Sequence, residues 1–248
     1  MNRLLHKVLV LILLITVSES LLTGCTSMPA SLRPQSSAAA QIANLWWVML
    51  GVGTVIWVGF TILLLVGLFR RQRVQGIYTP LSDSSTARAV NIWIVGGGIV
   101  MPTLVLIALV VLTVGALRSI PAESTSGGIV IEVIGHQWWW EVRYPDQDIT
   151  LTDEIRIPAG QPVEVRLSSA DVIHSFWVPE LHGKFDLIPG RTHVFILQAD
   201  QPGEYRGQCA EFCGRRHARM MIKVVAMPSE EFNGWLEAQL QSVVESIP

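Results

Sequence analysis

Two long runs without a charged side chain set the terms for this chain. Leu45 to Phe69 is one, and Ala89 to Leu117 is the other. At ~1.5 Å of rise per residue the first run makes roughly 37 Å of helix, enough to cross a bilayer core of ~30 Å. Both read as membrane spans. Trp46 and Trp47 stand at the start of the first, where an aromatic belt would lie, and Arg70-Arg71-Gln72-Arg73 follows it. Residues 70–88 hold four arginines against Asp83 alone, which places the connecting loop in the cytoplasm. The chain then leaves the second span, closed by Arg118, on the outer side. Gly96-Gly97-Gly98 permits close approach of another helix, and Pro102 is expected to kink the second span.

The remaining segments follow from composition and periodicity. Arg3, His6 and Lys7 precede an apolar run from Val8 to Val17, so residues 1–24 read as a secretory signal. Leu22-Thr23-Gly24-Cys25 has the form of a bacterial lipoprotein box, with Cys25 as the candidate lipidation site. Residues 25–44 are expected to be a tether, 45–118 a transmembrane helical hairpin and 119–128 a linker. Beyond it, Ile129 to Ile134, Val163 to Leu167, Thr192 to Gln198 and Met221 to Val225 alternate as short strands. Their spacing predicts an all-β sandwich over 129–227. Residues 228–248 are expected to form a closing helix, with Phe232, Trp235, Leu236 and Leu240 on one face.

Charge divides along the same boundary. Residues 1–118 carry 8 Lys or Arg and 2 Asp or Glu, a net of +6. Residues 119–248 carry 10 and 18, a net of −8. A basic membrane half and an acidic outer half favour a basic soluble partner over nucleic acid.

Within the outer half, Cys209-Ala210-Glu211-Phe212-Cys213-Gly214-Arg215-Arg216-His217-Ala218-Arg219-Met220 gathers two thiols, an imidazole and a thioether. Soft sulfur ligands select copper, zinc or iron–sulfur, and imidazole suits copper and zinc. A structural zinc site usually answers its Cys pair with a second pair, which is missing here. One thiolate with imidazoles and an axial Met describes a mononuclear copper site; a second Cys four residues on allows two bridging thiolates and two metals. A disulfide between Cys209 and Cys213 is the bland alternative in an oxidising compartment. His174, within Asp171-Val172-Ile173-His174-Ser175-Phe176-Trp177, is the candidate ligand from outside the loop.

The motif DVIHSFWVPELHGKFDLIPGR, with GHQWWW before it and GQCAEFCGRRHARM after it, resembles subunit II of the haem–copper cytochrome c oxidases. The likeness covers the hairpin and the whole outer domain. It implies a cupredoxin-like sandwich carrying a dicopper CuA centre. By that resemblance the centre takes His174, Cys209, Glu211, Cys213, His217 and Met220, with Glu211 contributing its backbone carbonyl. Met220 is selected over Met221 by its spacing from His217. The Glu211 side chain would reach a magnesium or manganese ion at the contact with subunit I. Trp138 would receive electrons from docked cytochrome c, while Trp139 and Trp140 would pack under the copper loop or against subunit I. Phe212 is expected to help exclude water from the metals. Glu141, Asp146, Asp148 and Asp171 would steer a basic cytochrome c. Lys184 and Asp186 match a K-x-D near the subunit I contact, and His182 and His193 are expected at the surface. Subunits I and III are the implied partners in a bacterial cell membrane, and the implied activity is electron relay for reduction of oxygen to water, coupled to proton translocation.

Other readings use the same residues. A quinol-oxidase subunit II would share hairpin and sandwich but hold no copper; the intact cysteines, histidines and Met220 argue against it. A nitrous-oxide-reductase-like copper domain would not bring the hairpin. A disulfide-stapled, membrane-anchored binding domain is the plainest reading. Residues 89–117 hold no Asp or Glu where many relatives place an acid at a proton inlet, so the resemblance does not extend to that role.

Overall fold

The computed structural model describes residues 30–73, 90–118 and 128–245. The expected signal, Cys25 and Asp83 lie outside the described residues. Helix α1 (Ser37–Arg73) contains the first apolar run and begins eight residues ahead of it. Its start is set by Ser36, whose hydroxyl accepts the Ala39 N–H at 3.1 Å as an N-cap. The second span, α2, is π-helical over Ile92–Val100 and α-helical over Met101–Arg118. Pro102 has no N–H to give, and the widened turns end immediately before it, with the Met101 N–H bonded to the Gly96 carbonyl. Thr54, Thr61 and Thr113 donate to the carbonyls of Leu50, Trp57 and Leu109 at 2.7, 2.8 and 2.8 Å. Those bonds satisfy the hydroxyls without water. Where α1 begins and α2 ends, Asn44, Leu45 and Val48 share a cleft with Leu112, Gly115 and Ala116.

The outer part is built from β1 (Val130–His136), β2 (Trp139–Tyr144), β3 (Ile149–Thr152), β4 (Glu154–Pro158), β5 (Val163–Ser169), β6 (His174–Trp177), β7 (Phe185–Leu187), β8 (His193–Leu197), β9 (Gly203–Cys209) and β10 (Met221–Met227). They make two five-stranded mixed sheets, ordered β3-β2-β1-β5-β8 and β4-β10-β9-β6-β7. Alternation does what it predicts: Val163, Val165 and Leu167 are buried while Arg166 faces out. β1 and β5 pair in parallel, as do β4 and β10; the other pairs are antiparallel. The chain passes from one sheet to the other through Asp153, a non-glycine residue at φ +58°. Its N–H bonds to the Trp140 carbonyl at 2.9 Å, and its own carbonyl accepts the Lys223 N–H at 3.0 Å.

The two sheets share one core that includes Ile131, Val133, Trp140, Val142, Phe176 and Val224. Tyr144 braces the sheets: its buried hydroxyl donates to the Arg156 carbonyl at 2.8 Å and accepts the Arg156 N–H at 2.7 Å. Helix α3 (Ser229–Glu245) closes the domain. Phe232 is buried, Trp235 lies edge-on to Tyr144 at 5.5 Å, and Leu236 is half-buried, whereas Leu240 is exposed.

The end of the expected tether is seated on the sheets. The Gln35 N–H donates to the Glu180 carbonyl at 2.7 Å, and the Gln35 carbonyl accepts the Asp200 N–H at 2.8 Å. The Ser36 hydroxyl donates to the Leu181 carbonyl, and Ala38, Ala39 and Ala43 are buried. Small side chains let this first turn of α1 lie close to the β-domain. His182, expected at the surface, is 6% exposed, with Phe185 and Phe195 at 4.9 and 5.4 Å. Burial pushes its pKa down.

Candidate metal centre

Strand pairing brings the two halves of the site together. β6 runs beside β9 with Phe176 opposite Cys209, so His174 at the start of β6 meets the loop that leaves β9. That loop is held by the Cys209 N–H on the Met220 carbonyl at 2.9 Å and the Ala210 N–H on the Ser175 carbonyl at 2.9 Å. It turns back at Gly214, whose φ of +117° favours glycine. A single 3₁₀ turn, His217–Arg219, then returns the chain to β10.

The donors expected from sequence converge. His174 Nδ1 lies 3.8 Å from the Cys209 sulfur, and His217 Nδ1 lies 3.6 Å from the Cys213 sulfur. The two sulfurs are 3.8 Å apart. Met220 Sδ is 3.7 Å from Cys213 Sγ, and the Glu211 carbonyl is 3.2 Å from Cys209 Sγ. His174, Cys209, Cys213 and Met220 are buried. Met221, the neighbour of Met220 and the first residue of β10, is 42% exposed and pairs with Gln208 on β9. Among the described residues, His174, Cys209 and Cys213 form a cluster able to hold a metal ion, with ligand atoms within 4.8 Å of one another.

The sulfur spacing is far beyond the ~2.05 Å of a disulfide, and both thiols are free. Burial opposes ionisation of Cys209. The His174 ring and nearby backbone groups outweigh it and bring the thiol down to about 6. Burial and the neighbouring Cys209 charge push Cys213 up. One sulfur thus ionises more readily than the other, and cationic charge between them would favour both thiolates. Two soft sulfurs, two imidazoles, a thioether and a carbonyl are a donor set for copper.

Behind the donors is a layer that sequence reading assigned differently or missed. Asp171, expected to steer a partner, instead accepts from His174 Nε2 at 2.8 Å and from the Gln137 N–H at 2.6 Å. Burial raises its pKa, but bonds from His174, Val172 and Gln137 more than offset this and hold it below the usual value. Burial lowers the pKa of His174, but the Cys209 sulfur and the Asp171 carboxylate beside its ring outweigh this and raise it. Gln137 Nε2 and Trp138 Nε1 both donate to the Cys213 carbonyl, at 2.7 and 3.2 Å. Gly135 was also missed: a Cβ there would lie 2.8 Å from His174 Cδ2. The D-x-x-H spacing was the one signal for Asp171. Nothing local marks Gly135.

The three tryptophans separate. Trp138 is half-buried at the loop, Trp139 stacks on His136 at 4.3 Å, and Trp140 is fully buried 6.0 Å from His174. Phe212, expected to shield the metals, is 77% exposed and touches the site only through its edge-on approach to His217 at 5.8 Å. Glu211 is exposed, its carboxylate 4.0 Å from Lys184, which also faces Asp186 at 3.9 Å.

A family model described as cytochrome C oxidase subunit II, periplasmic domain, matches residues 147–227. Cytochrome c oxidase subunit 2 of Alkalihalophilus pseudofirmus is 38% identical over 151 residues, 59% of this chain and 44% of that protein. The match thus spans less than half of that relative's length. Quinol oxidase subunit 2 of Bacillus spizizenii is 32% identical over 245 residues, 95% of this chain and 73% of the relative. The solved periplasmic domain of subunit II of cytochrome oxidase (CoxB) of Bradyrhizobium japonicum is 30% identical with a TM-score of 0.45, covering 48% of this chain and 96% of that one. Two apolar helices cross the membrane, and the sheet domain lies on its extracytoplasmic side. The chain belongs to the subunit II family of the cytochrome c and quinol oxidases.

Proposed function

We propose that this chain is the electron-transfer subunit of a respiratory cytochrome c oxidase, taking electrons from cytochrome c for the haem of subunit I. There oxygen would be reduced to water with proton translocation. One observation carries this reading. His174, Cys209, Cys213 and His217 follow one another with neighbouring donors 3.6–3.8 Å apart, an imidazole at either end and the two sulfurs between. Met220 and the Glu211 carbonyl lie beside the sulfurs as weaker donors. These residues would hold a dicopper CuA centre in a cupredoxin-like domain. Held there by Cys209 and Cys213 with the two histidines, a pair of coppers would supply one-electron exchange with little change of charge on either metal.

The chain's own contribution is to keep that constellation still. β6 and β9 fix His174 and Cys209 on a shared sheet, and Asp171 fixes the His174 ring. Burial of the sulfurs excludes water. Trp138, hydrogen-bonded to the Cys213 carbonyl, is the aromatic group by which electrons would enter. The Glu211 carboxylate, beside Lys184, is the oxygen donor proposed for a magnesium or manganese ion at the subunit I contact.

The long alignment to a protein named quinol oxidase subunit 2 supports a second reading, a copper-free subunit of structural role. Copper analysis and electron spin resonance of the full chain, purified under reducing conditions with copper supplied, separate the two. Two coppers per chain with one spin shared between them support the first. A copper-free chain in a complex that oxidises quinol assigns the second, and a Cys209–Cys213 disulfide without copper overturns the metal site.

A further inference from the structure

The net charge of −8 in the outer half points to a basic partner, but the acids expected to meet it are already engaged or lie at the far end of β2 from Trp138. Glu141 is occupied by Arg143 at 2.7 Å and His136 at 2.9 Å. Asp171 is occupied by His174 and by the N–H groups of Gln137 and Val172. Asp146 and Asp148 sit in the β2–β3 turn, at the end of β2 away from Trp138. Six residues of strand at ~3.3 Å each put roughly 20 Å between them.

Beside Trp138 the charge is positive. Trp138, Arg215 and Arg216 line one open cleft of about 320 Å³. Arg219 follows within the same loop and is also exposed. Among the described residues no ion pair engages any of these three guanidinium groups. The loop's single acid, Glu211, faces Lys184. Apolar surface completes the face: Phe212 is 77% exposed and Ile173 46%. Ile173 is two residues from Asp171, which the Gln137 N–H ties to the Trp138 turn. Aromatic groups and arginines around a small apolar centre are the composition of a protein-docking surface.

We propose that the face formed by Trp138, Arg215 and Arg216 docks an acidic c-type cytochrome, one whose haem edge is ringed by carboxylates. The inference rests on the reading of Trp138 as the point where electrons enter. Free guanidinium groups beside the indole orient carboxylates of the donor and place its haem edge against the aromatic ring. The step moves a single electron: the donor's ferrous haem becomes ferric, this chain's centre is reduced by one electron, and no bond or proton changes hands.

The test uses the intact oxidase complex and two forms of one probe, a basic cytochrome c and the same protein with its lysines succinylated. Binding of the oxidised probes and oxidation rates of the reduced ones are measured from about 10 mM to about 200 mM salt, a range over which the Debye length falls from ~30 Å to below ~10 Å. The succinylated form should bind at least ~10-fold more tightly at low salt, with the advantage lost as salt rises. Arg215→Glu with Arg216→Glu should reverse the preference while the copper spin signal stays as it was; Arg215→Gln with Arg216→Gln should flatten the salt dependence. Tighter binding of the unmodified basic form by the wild-type complex, or a preference unmoved by the Glu pair, overturns the proposal. Trp138→Ala separates the underlying reading: it should slow oxidation of bound donor without changing binding. If it does not, while the arginine variants still act, Trp138 is not the point of electron uptake and the docking face stands.

Discussion

Asp171 and His174 are joined at 2.8 Å through Oδ1 and Nε2, leaving His174 Nδ1 turned toward the Cys209 sulfur. The carboxylate therefore selects which ring nitrogen faces the metal pocket, and its second oxygen ties that choice to the Gln137 N–H. Partners of this kind orient ligating imidazoles and raise their basicity. Asp171→Asn keeps the shape but removes the charge. It should weaken copper binding by ~10- to 100-fold, with β-sheet circular dichroism unchanged. Competition with a chelator of known affinity measures the change.

Gly135 tests the same ring from its other side. A Cβ on Gly135 would stand 2.8 Å from His174 Cδ2, 3.1 Å from Cγ and 3.3 Å from Leu187 Cδ2. The imidazole is held by Asp171 and cannot retreat without losing that bond, so Gly135→Ala should displace it. The expected cost is ~1–3 kcal/mol of stability by overpacking, with loss of copper. Gly203→Ala is the control: its nearest contact would be the Tyr205 hydroxyl at 3.5 Å, an ordinary distance. Urea unfolding and metal content should separate the two variants, and equal effects would refute the steric account.

What sequence could reveal divides along physical lines. Donor types at short spacing are local, so Cys209, Cys213, His217 and Met220 were legible together, whereas His174, a lone histidine among apolar residues, was raised by its place before the Cys loop and by the family resemblance. Strong alternation made β1, β5, β8 and β10 readable, as apolar periodicity did for α3. β6 and β7 were not, because four and three residues carry too little periodicity, and β6 is buried across His174, Ser175 and Phe176 without alternation. The role of Gly135 depends on a strand neighbour that pairing alone supplies. Charge is legible only as a sum: over 130 residues it cannot show that Glu141 and Asp171 are already bonded while, among the described residues, no ion pair engages Arg215 or Arg216.

Glu154 gives the fold an acid-sensitive tie. Burial raises its pKa, but Lys223 at 2.9 Å and Arg156 at 2.7 Å outweigh this and hold it below the ordinary 4.5. A carboxyl lowered in the folded state stabilises above its unfolded value, and that stability disappears as pH falls through the folded value. Glu154→Gln should therefore cost ~0.5–1 kcal/mol near neutral pH, modest because Lys223 and Arg156 are partly solvated. The gap between wild type and variant should close as pH drops below about 4.5. Thermal unfolding across that range checks it, and a gap independent of pH would rule the carboxylate out.

Ser36 joins the membrane helix to the β-domain through one hydroxyl. Its oxygen accepts the Ala39 N–H at 3.1 Å to cap α1, and its O–H donates to the Leu181 carbonyl of the β-domain. Gln35, one residue earlier, bridges the backbone of Glu180 and Asp200. Ser36→Ala removes both side-chain bonds and leaves the Gln35 bridge. Loss of the cap costs about 1 kcal/mol, and the unpaired, buried Leu181 carbonyl adds to it. The expected result is local: amide hydrogens at Gln35, Ala39 and Ala40 should exchange faster, by ~5-fold or more for each kcal/mol lost. Exchange in β6 and β9, which hold His174 and Cys209, should stay as in wild type. Hydrogen exchange read by mass spectrometry on the full chain in detergent makes the comparison. Uniform acceleration across the β-domain would show that the strap supports the whole fold rather than its seating on the membrane helix.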